Sequence, residues 1–175
     1  MTISSGYSWI LTRWGILIIM ELKSHYIIRF SDCDPNAHLN NSRYFDYMIN
    51  AREDHLRENF NILYPDFLKW GITWVVRQHE IQYLRPAMYT EKVCITSQII
   101  GLTESNLIVE MAMYDESESQ LKAILWTHFT CIDPQTGKRK THTPAFIELA
   151  NKLGVAEVNL AAGLGERVKS LKSIA

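Results

Sequence analysis

A chain of 175 residues, 47% hydrophobic and 21% charged, has the composition of one globular domain and lies outside the disordered and collagen-like ranges. Its 18 basic and 19 acidic residues give a formal net charge of −1, with no long run of either sign. That excludes the cationic face a nucleic-acid partner requires. Cys33, Cys94 and Cys131 are odd in number and lack metal-knuckle spacing. They point to a reducing, cytoplasmic setting rather than a disulfide framework.

The apolar run SWILTRWGILIIM (8–20) is interrupted by Arg13 and falls short of the ~18–20 apolar residues of a membrane span. It also lacks the charged start and the small-residue cleavage site of a secretory signal. Residues 1–19 therefore read as an N-terminal extension. Three forms of it are open: an interfacial or partner-binding helix, a poorly ordered segment, or sequence ahead of a natural start at Met20. The domain is expected over 20–154, with 155–175 as a loosely attached C-terminal tail.

Residues 24–31 read as a short strand leading into DCDPNAHLNN (32–41), a polar decapeptide. From Asn41, apolar side chains recur at Tyr44, Met48 and Ala51, and again at Phe45, Ile49, Leu56 and Phe60, which is helical spacing. Asn40 or Asn41 serves as its N-cap. Pro65 and Gly71 predict a helix end and an irregular connection. Four strands are then predicted at 73–84, 91–100, 106–115 and 120–132, joined by short turns and so paired antiparallel in succession. Leu107, Val109, Met111 and Met113 share one face of the third; Leu121, Ala123, Leu125, Phe129 and Cys131 share one face of the fourth. A short helix follows Pro144.

One long helix and a run of antiparallel strands pack economically as a two-layer α+β domain, the helix stripe covered by one face of the sheet. Outward apolar positions at Trp74, Ile100, Ile108, Ile124 and Trp126 then call for cover, which predicts a homodimer or larger assembly.

The order strand, D-x-D-P, H-x-N-N-x-x-Y, long helix, VVRQHEIQYLRPA (75–87) and THFTCIDPQTGKR (127–139) resembles the hotdog-fold acyl-CoA thioesterases of the 4-hydroxybenzoyl-CoA thioesterase and YbgC-like group over roughly residues 22–150. The resemblance implies a hotdog fold, a central helix wrapped by an antiparallel sheet. It also implies a homodimer or homotetramer with active sites at the dimer interface, an acyl-CoA substrate, and no cofactor. The catalytic carboxylate of the group falls on Asp34, and His38 matches the branch that carries a histidine. After Asn36 the sequence HLNN departs from the aromatic residues of the hydroxybenzoyl enzyme, which argues against an aromatic acyl group.

Thioester hydrolysis needs a polarised carbonyl and an oxygen nucleophile. Asp34 serves either as a base on water or as a nucleophile that forms a mixed anhydride. Backbone N–H groups around Asn40, Asn41 and Ser42, at the positive end of the helix dipole, are the candidate oxyanion donors. The competing reading of Asp34 is a turn residue bonding the backbone two positions on. His38 holds water, contacts the carbonyl, orients Asp34, or only makes a local bond at the helix entry. Asp32 shapes the loop or acts on Asp34 through like charge, and Tyr44 reads as core. Cys33 is rejected as a nucleophile because its two flanking aspartates disfavour the thiolate. A metal site at Asp32, Asp34 and His38 lacks a supporting ligand pattern. Arg85, with Lys138 and Arg139, is a candidate for the phosphates of coenzyme A. A hotdog hydratase and a non-enzymatic acyl-binding protein are the rival functions.

Overall fold

The computed structural model describes residues 7–12, 15–20 and 22–172. Residues 1–6, 13 and 14 of the expected extension, and 173–175 of the expected tail, lie outside that set. Strands β1 (Tyr7–Thr12) and β2 (Gly15–Met20) pair antiparallel as a two-stranded sheet of their own. A strand pair thus stands where one reading of the sequence expected a helix; Trp-, Ile- and Leu-rich runs suit extended backbone equally well.

The main sheet has five antiparallel strands: β3 (Leu22–Ile27), β4 (Thr73–Tyr83), β5 (Lys92–Leu102), β6 (Asn106–Asp115) and β7 (Leu121–Ile132). Their spatial order is β3-β5-β6-β7-β4. The predicted meander holds for β5, β6 and β7 but not for β4, which pairs with β7 while β3 pairs with β5. Segment 84–91 must therefore cross from edge strand β4, past β7 and β6, to β5, which lies beside the opposite edge strand β3. Three inter-strand spacings of ~4.8 Å make about 14 Å, within reach of that segment at ~3.3 Å per residue. Leu84 and Arg85 N–H stay on Lys122 O of β7, and beyond them the segment bonds to the acidic loop and the residues leading into it: Leu39 N–H donates to Ala87 O (2.8 Å), Tyr89 N–H to Ala37 O (2.9 Å) and Thr90 N–H to Ile28 O (3.1 Å).

Helix α1 (Asn41–Phe60) lies on the concave face of this sheet, the hotdog arrangement. Asn40 caps its start, its side-chain oxygen accepting from Ser42 N–H. Asn61 ends it in the left-handed region at φ 53°, where Asn61 and Ile62 N–H close back on Arg57 O and Leu56 O. The stripe Tyr44, Met48, Ala51, His55 and Leu56 is buried. It meets the predicted inner face of the sheet, including Leu107, Val109, Met111 and Met113. Two short helices, α2 (Tyr64–Lys69) and α3 (Pro144–Leu153), close the end of this core with Phe67, Phe146 and Leu149. Among the described residues, no helix is long and apolar enough to cross a membrane.

The other face of the sheet corrects the expectation of a loose tail and shows what covers the outward apolar side chains within the chain itself. Residues after Gly154 continue into α4 (Gly163–Lys172), whose Leu164 and Val168 bury Ile100, Ile124 and Trp126 to 3% exposure or less. What reads in sequence as a loose tail is thus the intramolecular cover for an apolar face that seemed to require another copy of the chain. Trp74 packs elsewhere, its ring 4.9 Å from Phe67 and 4.8 Å from Phe146. An ion pair locks α4 down: Arg167 Nε and Nη2 donate to the two carboxylate oxygens of buried Glu110, both at 2.9 Å. Leu121 also sits on this outer face, because Leu121 and Lys122 together oppose Tyr114 in a β-bulge that reverses the alternation.

Candidate active site

The acidic loop is built from its own backbone. Asp34 Oδ1 accepts from Asn36 N–H (2.9 Å) and His38 N–H (3.1 Å), while Asp34 N–H donates to His38 O (2.7 Å). The turn reading of Asp34 is therefore correct for one oxygen. Among the described residues, Oδ2 has no partner. This carboxylate is held by one oxygen and leaves the other for chemistry.

Asp34, His38, Asn41 and Arg85 line one open cavity of about 260 Å³, with Tyr44 and Tyr83 in its wall. The His38 imidazole and the Arg85 guanidinium make no hydrogen bond or ion pair to described residues, so both are available to a ligand. The tyrosines fix the frame. Tyr44 is buried, and its hydroxyl accepts from Ala87 N–H (2.9 Å). Tyr83 donates to Asn41 O (2.9 Å), and the two rings meet edge to face at 5.2 Å. Burial raises the pKa of both phenols, so they stay protonated. Sequence reasoning assigns Tyr44 to the core and passes over Tyr83; the signal was present in the H-x-N-N-x-x-Y and I-x-Y-x-x-P-A spacings.

Of the three candidate oxyanion donors, two are spent inside the protein. Asn40 N–H donates to Asp32 O (2.9 Å), and Ser42 N–H is capped by Asn40 Oδ1 (3.0 Å), which also accepts from the Ser42 hydroxyl (2.8 Å). Asn41 N–H, at the first position of α1, keeps no backbone or side-chain acceptor among the described residues. Asn40 and Ser42 thus build the helix start, and Asn41 is the donor they leave over.

Asp32 does not line this cavity. Its Oδ2 accepts from Tyr47 Oη (2.9 Å), and Arg43 Nε lies 3.8 Å from its Oδ1. The Cys33 thiol donates to Arg29 O, and its pKa is raised by desolvation first and then by Asp32 and Asp34, in keeping with its rejection as a nucleophile. Lys138 and Arg139 do not join this cavity within the chain. They follow β7 at its Ile132 end, whereas the cavity adjoins Tyr83, which pairs with Ala123. Nine residues at ~3.3 Å put these two ends about 30 Å apart. Arg139 Nε instead donates to Ser105 Oγ at 2.7 Å. Among the described residues, no three His, Cys, Asp or Glu side chains gather as a metal-holding group.

Residues 28–152 match the family model described as the thioesterase-like superfamily. The long-chain acyl-CoA thioesterase FadM of Escherichia coli is 32% identical over 115 residues, which span 63% of this chain and 83% of that one. The solved structure of YbaW, a probable thioesterase from Escherichia coli, superposes with a TM-score of 0.67 at 28% identity, covering 76% of this chain and 99% of that one. A thioesterase from Thermus thermophilus, solved with coenzyme A and Zn, superposes with a TM-score of 0.62 at 26% identity, covering 75% and 92%.

Proposed function

Since this chain belongs to the thioesterase-like superfamily, we propose that it hydrolyses an acyl-CoA thioester to the free acid and coenzyme A, with Asp34 as the reacting carboxylate. One observation carries the assignment. Asp34 is fixed through Oδ1 to the loop backbone, and its unpartnered Oδ2 shares a cavity with His38, Asn41 and Arg85.

In this reading the thioester carbonyl oxygen lies against Asn41 N–H, where the N-terminal end of α1 favours the charge that develops on attack. Oδ2 either draws a proton from the attacking water or attacks the carbonyl carbon itself; both routes end with the C–S bond broken and the thiolate protonated. His38 holds the water, and Arg85 meets a coenzyme A phosphate at the mouth. The substrate named for the FadM relative, a long-chain acyl-CoA, supports this substrate class.

We place the site at a homodimer interface, with a homotetramer as the larger assembly. In support, β4 is an edge strand whose Val75 and Val76 are 43% and 47% exposed, and its Tyr83 end forms the cavity wall. Cys33, Cys94 and Cys131 are thiols rather than disulfides, which supports a reducing, cytoplasmic location.

Incubating the full chain with a panel of acyl-CoAs and trapping free thiol tests the assignment. A thioesterase releases thiol, and ¹⁸O found in Asp34 after a single turnover in ¹⁸O-water identifies the nucleophile route, since a general base incorporates no oxygen from water. A hydratase consumes enoyl-CoA without releasing thiol, and a binding protein does neither.

A further inference from the structure

One flank of α1 carries Phe45, Ile49, Arg52 and Leu56 at spacings of 4, 3 and 4, a line leading away from the candidate site. Arg52 is the anomaly in it. Its guanidinium carbon lies 5.2 Å from the centre of the Phe129 ring, on the inner face of the sheet. Among the described residues it makes no ion pair or hydrogen bond. Asp54, two positions on, is turned to Tyr26 and Arg57. The residue is half-buried, and desolvation lowers the Arg52 pKa to about 10.

Arg52 also lines a partly open cavity of about 40 Å³ whose apolar walls include Leu107, Val109, Phe146 and Leu149. Ser97 and Gln98 supply further polar lining. Ser97 Oγ is 2.7 Å from His55 Nδ1, and the buried His55 Nε2 has no partner. An unpaired cation in apolar surroundings is costly, and an anion is the group that offsets it. At ~10–15 Å³ per water-sized site, the cavity suits a small polar group and is too small for a long alkyl chain.

From Asn41 to Arg52 the helix rises about 16 Å, eleven residues at ~1.5 Å each. We propose that Arg52 receives a carboxylate at the far end of the acyl group, so that the preferred substrate is a coenzyme A thioester of a dicarboxylic acid whose chain lies along the Phe45–Ile49 flank. This proposal rests on the thioesterase reading for the position of the thioester. It differs from that reading in what the far end of the chain must carry.

The test is calorimetric binding of two non-hydrolysable thioether analogues of equal chain length, one ending in methyl and one in carboxylate, to the full chain and to its Arg52→Met and Arg52→Lys variants. The wild type is expected to bind the carboxylate-ended analogue about tenfold to a hundredfold more tightly, the factor a hydrogen bond to a charged group provides. Arg52→Met should abolish this preference, and Arg52→Lys should keep part of it. Equal or tighter binding of the methyl-ended analogue by the wild type overturns the proposal, whether or not the variants fold. So does an Arg52→Met effect confined to oligomeric mass in light scattering, which would assign the cation to another copy of the chain. Binding is read without turnover, so a failure here is distinct from a failure of thiol release.

Discussion

Replacing Arg167 with methionine removes the cation that both oxygens of Glu110 hold, while keeping much of the apolar stem. Glu110 is 3% exposed, and after the change it retains donors from Trp126 Nε1 (2.8 Å) and Gln98 Nε2 (2.7 Å) but no opposite charge. Removing one partner of a buried pair costs about 3–5 kcal/mol, and the two surviving hydrogen bonds place this case near 3. For a chain of this size, ~2–4 °C per kcal/mol converts that into a fall of roughly 6–12 °C in the thermal midpoint. Hydrogen exchange should show the amides of α4 losing protection before those of β6, because the pair is the helix's polar anchor to the sheet. Adding Glu110→Gln should recover part of the loss, since no unpaired charge is then left inside. A midpoint shift below about 2 °C, with α4 protection unchanged, would refute the assignment of α4 as a clamped cover.

The buried His55 gives a pH dependence with a definite sign. Desolvation lowers its pKa from 6.5 to about 4, against smaller opposing effects of the Asp54 charge and a backbone hydrogen bond to Ile95. Between those values the unfolded chain binds the proton and the folded chain does not, so stability is full above pH 6.5 and is lost as pH falls toward 4. The amount is about 3 kcal/mol, on the order of 1.4 kcal/mol per unit. His142 and His79 are also lowered by burial and act in the same direction. Urea midpoints from pH 7.5 to 4 should fall for the wild type and fall less for His55→Gln; equal slopes would contradict this.

Lys122 is buried and ties the crossover segment down through Pro86 O (2.9 Å) and Glu91 Oε1 (2.8 Å). Lys122→Met should cost about 1–3 kcal/mol and raise KM for the thioester more than it lowers kcat, because Arg85 rides on that segment. An unchanged KM in a destabilised variant would mean that the clamp serves stability alone.

Much of the fold was legible because its elements follow simple periods. The stripe from Tyr44 to Phe60 and the alternation from Leu107 to Met113 each announce a buried face, and each is where the structure puts it. The misplaced pieces depend on partners distant in sequence. Nothing local in β4 says that Thr127 lies opposite His79, or that the next strand in the chain lies three strand spacings away, beside the other edge. Likewise α4 carries few apolar anchors, and its hold depends on Glu110, 57 residues away. Of the candidate site, DCDPNAHLNN was readable as a loop before a capped helix. Which backbone donors the cap consumes was not, because that is decided by hydrogen bonds among Asp32, Asn40 and Ser42. Lys138 and Arg139 look well placed for phosphate only when the path of the sheet between them and Tyr83 is ignored.

The most direct test is the rate of thiol release by the full chain and by Asp34→Asn. The amide oxygen of asparagine can still accept from Asn36 and His38 N–H, so the loop and the thermal midpoint should be preserved while the reacting oxygen is lost. With Asp34 as the reacting carboxylate, kcat should fall about a hundredfold or more, the range of a general base. A folded Asp34→Asn protein that hydrolyses its best acyl-CoA at the wild-type rate would contradict that role.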